Sequence, residues 1–222
     1  MTAHLAKELT ATMAAIQRRG WCDGTGGNFS CVLQREPLQL LMAPSGVDKG
    51  SVAPGDLIVV DGEGQVLQGD GRASAETLLH LEIVRRTSAG AVLHTHSQAA
   101  TLLSRSTLAA GHTQSAANGA DGFVVVEQLE MIKGLEGLHT HDTRVELPVL
   151  ANDQDLRRLS GRAGPLLAKA PQGLLIAGHG LYAWGDGLFS ARRHLEILEF
   201  LLEQHWRQLL LDGLSRLPIR SV

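Results

Sequence analysis

The stretch Gly90-Ala91-Val92-Leu93-His94-Thr95-His96 is an apolar run that ends in two histidines separated by a single residue. Its composition predicts a buried β-strand, and side chains two positions apart on a strand project from the same face. His94 and His96 are therefore expected to lie close enough together to bind one metal ion.

A third metal ligand is expected elsewhere in the chain, because catalytic zinc usually has three protein ligands and one open position. The candidate is His179, which follows a second short apolar run and stands between Gly178 and Gly180. Glycine on both sides lets the backbone turn sharply and approach its neighbours closely. A competing His-Thr-His at 139–141 has no apolar run before it, so we expect it in a loop.

The composition favours a small-molecule or protein partner. The chain has 222 residues, with 20 basic and 23 acidic side chains and a net charge of -3. Because these charges form no like-charged block, nucleic acid and anionic membranes are not expected as partners. The length fits a single domain over 1–222. No secretory signal or membrane span is visible, and two cysteines make no disulfide framework, so a cytoplasmic protein is expected.

Hydrophobic periodicity predicts alternating helices and strands. Helices are expected over 2–20, 74–87, from 97 onward, from a cap at 152 or 153 to 169, and over 188–211. Strands are expected in hairpins between 28 and 66, and at 123–126 and 173–177. The segment 108–121 has no clear period and is predicted to be a mobile surface loop.

Three small-residue turns are candidates for binding an anion. Asp23 to Ser30 is a glycine-rich turn whose free amides can surround a phosphate, although it is neither a Walker A nor a dinucleotide motif. Pro44-Ser45-Gly46 and a polar cluster at Ser74 can close on the same anion, with Lys49 nearby in sequence. Together the three turns favour a phosphate site.

Two glutamates are candidates for proton transfer, which a metal enzyme acting on a carbonyl compound needs besides its metal. Glu76 lies at the start of the helix before the histidine strand. Glu130 opens the segment Glu130-Met131-Ile132-Lys133-Gly134.

Taken in order, these motifs resemble the class II aldolase and adducin family. The resemblance rests on the glycine-rich turn, Pro-Ser-Gly, Ser-Ala-Glu at 74–76, His-Thr-His at 94–96 and Gly-His-Gly-Leu-Tyr-Ala-Trp-Gly at 178–185. Within the family, the segments 130–134 and 147–155 are similar to the dehydratases of methionine salvage, which remove water from a methylthio sugar phosphate.

This resemblance implies a three-layer α/β/α domain around a mainly antiparallel sheet, in a homotetramer with active sites between subunits. It implies one zinc ion per subunit, bound by His94, His96 and His179. The positions matching the family's phosphate loops are Gly27, Asn28, Ser45, Gly46 and Ser74. Glu130 matches the acid/base of the dehydratases. Glu76 matches the catalytic glutamate of the aldolases and is the second choice, as a metal ligand or second acid.

Two alternatives remain at this point. One is a class II aldolase or epimerase acting on another sugar phosphate, and the other is a non-catalytic, adducin-like scaffold. Aldolases and epimerases of the family recruit a C-terminal tyrosine from a neighbouring subunit, whereas Tyr182 is the only tyrosine here. The missing tyrosine disfavours aldol cleavage and epimerisation, and the retained histidines disfavour the scaffold.

Overall fold

The computed structural model describes residues 2–109 and 119–216, which contain five α-helices and nine β-strands. In chain order the elements are α1 (Thr2–Gln17), β1 (Asn28–Arg35), β2 (Leu38–Met42), β3 (Ile58–Asp61), β4 (Val66–Gln68), α2 (Thr77–Arg86), β5 (Ala91–Thr95), α3 (Gln98–Ala109), β6 (Gly122–Glu127), β7 (Arg144–Leu150), α4 (Leu156–Leu167), β8 (Gly173–Ile176), β9 (Gly180–Gly185) and α5 (Leu188–Ser215). Two 3-10 helices cover Pro54–Asp56 and Glu130–Gly134. None of the described helices is both long and apolar enough to cross a bilayer.

The nine strands form one sheet in the order β4-β3-β2-β1-β5-β9-β8-β7-β6. All neighbours are antiparallel except β7 and β8, which run parallel. The histidine strand β5 is the central strand, and all five of its residues are buried. The prediction of a buried strand leading to the histidines is confirmed.

Helices cover both faces of the sheet, and strand alternation decides which side chains meet which layer. On β5, Ala91 and Leu93 join the core formed with α1, α3 and α5. Val92 faces the other way, into the core formed with α2 and α4. The three-layer α/β/α architecture is therefore confirmed, and His94 belongs to the face covered by α2.

Three local expectations need correction. α4 is capped by Asp155, not by Asn152 or Asp153, because the Asp155 carboxylate accepts hydrogen bonds from the amides of residues 157 and 158. α1 ends at Gln17, three residues earlier than expected. Of the predicted loop 108–121, residues 108 and 109 instead complete α3, while 110–118 lie outside the described residues.

Candidate active site

Four side chains converge at the end of the central strand. Their ligand atoms, from Glu76, His94, His96 and His179, all lie within 4.8 Å of one another. The Nε2 atom of His94 is 2.9 Å from Nε2 of His96 and 3.4 Å from Nε2 of His179. Tetrahedral zinc ligands with bonds of 2.0–2.1 Å would be roughly 3.4 Å apart. The donor atoms are thus spaced as ligands of one metal ion.

Each side chain reaches the cluster from the end of a regular element. His94 and His96 sit at the end of β5, His179 lies in the turn between β8 and β9, and Glu76 immediately precedes α2. A Cβ atom on Gly180 would lie 1.9 Å from the carbonyl oxygen of Thr95. The close approach expected of the Gly-His-Gly turn is therefore present.

His94 is oriented by two contacts behind the cluster. Its Nδ1–H donates to the carbonyl of Leu181 at 2.9 Å, which leaves the Nε2 lone pair facing the other ligands. The ring of Tyr182, the cross-strand partner of His94, stacks on it with centroids 3.9 Å apart and planes 12° apart. His94 is thus held in the tautomer and position that a metal ligand needs.

The charges in the cluster suit a cation. Burial lowers the pKa of His94 and lowers that of His96 to about 4, so both rings are neutral near pH 7. Burial alone would raise the pKa of Glu76, but the adjacent imidazoles of His179, 2.8 Å away, and His94 hold that pKa well below the usual range. Two neutral imidazoles, His94 and His96, therefore lie beside an ionised carboxylate, which is a combination that suits a cation.

Three contacts position Glu76. Its carboxylate accepts a hydrogen bond from the Asn28 side-chain amide of β1, and its other oxygen lies 2.8 Å from Nε2 of His179. Its backbone N–H donates to the hydroxyl of Ser74 at 3.3 Å. The sequence indicated Glu76 as a candidate, but the contact with Asn28 depends on how α2 packs against β1.

A cleft of about 490 Å³ opens beside Glu76 and His179. Of the residues expected to hold phosphate, Ser45 and Ser74 line it. Its other lining residues include Arg72 and the loop Asn152-Asp153-Gln154, which no site prediction had included. That loop belongs to the segment 147–155, and the resemblance of this segment to the dehydratases could have predicted that the loop is part of the site.

The other predicted phosphate residues are placed differently. The Asn28 side chain holds Glu76 and is not in the cleft lining. Gly27 has φ +78°, and a Cβ there would lie 2.8 Å from the carbonyl oxygen of His94. Only glycine at this position lets the glycine-rich turn lie so close to β5. Gly46 also has a positive φ, +79°. Neither glycine lines the cleft.

Glu130 stands outside this arrangement. It begins the 3-10 helix, its side chain is 69% exposed, and it contacts the ammonium of Lys133. The hydrogen bond from Lys133 lowers its pKa. Nδ1 of His141 is 3.8 Å from its carboxylate, in the loop expected for the second His-Thr-His. Within one chain, Glu130 belongs neither to the cluster nor to the cleft lining.

Comparisons with known proteins agree with this geometry. Residues 7–206 match the family profile described as Class II Aldolase and Adducin N-terminal domain. The chain is 42% identical over 200 residues to a methylthioribulose-1-phosphate dehydratase from Xanthomonas campestris pv. campestris (strain 8004), with 89% of this chain and 86% of that one covered. It is 40% identical over 201 residues to the enzyme of that name from Acidiphilium cryptum (strain JF-5), covering 90% and 89%.

Solved structures of similar fold match most of the chain. The L-fuculose-1-phosphate aldolase from Thermus thermophilus superposes with a TM-score of 0.71 at 26% identity, covering 96% of this chain and 99% of that one. YgbL from Escherichia coli gives a TM-score of 0.73 at 26% identity, covering 100% and 94%.

Proposed function

This chain belongs to the class II aldolase and adducin family, and we propose that it is the methionine-salvage enzyme that dehydrates 5-methylthioribulose 1-phosphate to 2,3-diketo-5-methylthiopentyl 1-phosphate. The observation that carries the proposal is the cluster of three histidines and Glu76 beside a polar cleft. The identity of about 40% to dehydratases over most of both chains supports the reaction type. The enzyme is a carbon–oxygen lyase.

The cluster binds a divalent metal ion, and zinc is the ion we propose. His94, His96 and His179 would hold it, with Glu76 as a fourth ligand when no substrate is present. Neutral imidazoles and a carboxylate are donors that zinc accepts. When bound, such an ion supplies Lewis-acid polarisation of the substrate carbonyl.

The proton transfers are assigned to Glu130. Its carboxylate removes the proton from C3, next to the C2 carbonyl, which leaves an enediolate. Glu130 then donates this proton to the C4 hydroxyl, which departs as water. The enol that remains tautomerises to the 2,3-diketone, so one molecule of water is lost and the carbon skeleton is unchanged.

Glu130 must reach this chemistry from a neighbouring subunit, since its own chain does not bring it to the cleft. Its exposed carboxylate, on a short helix away from the cluster, supports an arrangement in which each active site is shared between two chains. The proposed assembly is a homotetramer. A Glu130→Gln chain and a His179→Gln chain, each inactive alone, should regain part of the activity when they are refolded together.

Phosphate binding is assigned to the loops at Gly27, Asn28, Ser45, Gly46 and Ser74. Ser45 and Ser74 line the cleft, which supports direct contact for these two. Gly27 and Asn28 lie beside the cluster: Gly27 passes close to the carbonyl of His94, and the side-chain amide of Asn28 donates to Glu76.

The direct test is product analysis with purified, zinc-loaded protein and methylthioribulose 1-phosphate. Mass spectrometry should show loss of one water with all carbons retained, and Glu130→Gln should lower turnover by about 10²-fold or more without loss of zinc. Glu127→Gln is the matched control, because Glu127 is also exposed and lies three residues away. Two carbon fragments would indicate aldol cleavage and overturn the proposal.

The aldolase alternative has one observation in its favour, the ionised Glu76 at the cluster. Against it, Tyr182 is buried beneath His94 and cannot serve as a proton donor in the cleft of another subunit. The geometry therefore favours dehydration over aldol cleavage.

A further inference from the structure

Lys49 joins two of the loops that border the active site. Its ammonium donates one hydrogen bond to the carbonyl of Thr25 at 3.0 Å and another to the carbonyl of Val47 at 2.9 Å. Thr25 belongs to the glycine-rich turn, and Val47 directly follows the Pro-Ser-Gly turn. One side chain, 1% exposed, therefore fixes the distance between these two turns.

The third loop is tied to the same assembly through the backbone. The N–H of Ser45 donates to the carbonyl of Arg72 at 2.9 Å, which connects the Pro-Ser-Gly turn to the segment leading into α2. A displacement of the Pro-Ser-Gly turn would thus move Ser45 relative to Ser74, and both serines line the cleft. Lys49 does not line the cleft, but it bonds to Val47, two residues after Ser45.

The charge of Lys49 has no direct counter-ion. In residues 2–109 and 119–216, no carboxylate oxygen lies within 4.0 Å of its Nζ atom. Burial lowers the pKa of Lys49, and the carboxylates of Asp48 and Glu76 oppose this lowering from longer range. A buried ammonium without an ion pair is costly unless an anion balances it in the working state.

We propose that Lys49 is the positioning residue of the phosphate subsite: it holds the glycine-rich and Pro-Ser-Gly turns together, and its buried positive charge is balanced by the substrate's phosphate dianion. This inference rests on the proposed function and adds to it a buried positive charge, in addition to that of Arg72 in the cleft lining. A neutral donor could join two carbonyl groups equally well, so the charge itself needs the anion to explain it.

The test compares Lys49→Met, which removes charge and donors, with Lys49→Gln, which keeps a donor but removes the charge. Lys7→Met is the control, because Lys7 is an exposed lysine on α1. All are prepared as full-length, zinc-loaded protein, and their zinc content and circular dichroism are compared with the wild type. Inorganic phosphate is titrated by calorimetry, and kcat and KM are measured for methylthioribulose 1-phosphate.

Both Lys49 variants should raise the dissociation constant of phosphate and the KM at least tenfold, with kcat changed less than about threefold and zinc retained. Unchanged phosphate affinity in both variants overturns the proposal. So does wild-type affinity in Lys49→Gln alone, because the hydrogen bond rather than the charge would then be responsible. If Lys49→Met does not fold, the Lys49→Gln result decides alone.

The two proposals can fail separately. A wild-type enzyme that dehydrates the substrate while the Lys49 variants keep a normal KM refutes the role of Lys49 and leaves the function standing. A wild-type protein that binds phosphate through Lys49 but does not dehydrate the substrate refutes the proposed function only.

Discussion

Replacement of Glu199 by glutamine should make the protein more stable at alkaline pH but not at acid pH. Glu199 lies on α5 with only 2% of its surface exposed, on the face of the sheet opposite the metal cluster. The hydroxyl of Thr95 donates to its carboxyl at 2.6 Å, and Ser97 also bonds to it. These two residues flank His96, so Glu199 anchors the end of the metal strand from behind.

The magnitude follows from the pKa of Glu199. Burial raises it from 4.5 to about 7, more than the bonds from Ser97 and Thr95 lower it, and the charge of Glu203 raises it further. The folded chain therefore keeps the proton up to about pH 7, whereas the unfolded chain loses it near pH 4.5. Below pH 4.5 this difference in pKa contributes about 3 kcal/mol to the free energy of unfolding. The contribution is lost as the pH rises through 7.

Glutamine cannot ionise, so the Glu199→Gln variant escapes this loss. Urea unfolding of metal-free wild type and variant measures the free energy of unfolding of each. The value for the variant minus that for the wild type should rise by about 3 kcal/mol between about pH 4 and pH 8.5. Histidine titration affects both proteins equally and cancels in the difference. Glu203→Gln, one turn further along α5, should show a change under about 1 kcal/mol. A Glu199→Gln difference that is independent of pH would refute the reasoning.

Three further predictions concern the metal site. His179→Gln should weaken zinc binding by at least about a hundredfold, because only two histidines and Glu76 remain as ligands. Competition with a chromogenic chelator measures the affinity, and an unchanged affinity would exclude His179 as a ligand. Gly180→Ala should destabilise the fold by more than about 3 kcal/mol, since the new Cβ would meet the Thr95 carbonyl at 1.9 Å; thermal unfolding that matches wild type would contradict that contact. Tyr182→Phe should keep activity and lose less than about 1 kcal/mol of stability, because the phenol oxygen has no hydrogen-bond partner among the described residues; a large fall in kcat would instead implicate the hydroxyl in proton transfer.

The parts of the site that could be predicted from sequence are those set by local periodicity. Alternation along β5 places His94 and His96 on one side of the sheet, and the glycines beside His179 indicate a tight turn next to a strand. Both predictions depend on residues within a few positions of one another. The three-layer arrangement was expected from the family resemblance, and the central position of the histidine strand was not predicted.

Contacts between distant segments were harder to infer. Glu76 enters the cluster because Asn28 on β1 bonds to it across 48 positions of sequence. Glu199 reaches Thr95 across 104 positions, and no periodicity on α5 indicates that a glutamate there is buried. The α4 cap was misplaced because four acidic or amide residues, at 152–155, precede that helix, and only the backbone geometry selects Asp155. The proposal that Glu130 acts in a neighbouring subunit depends on the assembly, which a single sequence does not reveal.

The central claim is that a metal ion held by His94, His96 and His179 is needed for dehydration. It is tested most directly by adding zinc stepwise to metal-free protein while the loss of water from methylthioribulose 1-phosphate is followed. Turnover should rise in proportion to added zinc and level off near one ion per chain, and His179→Gln should show no such rise at the same concentrations. Full turnover in the metal-free protein, or a product that has lost carbon atoms, would contradict the account.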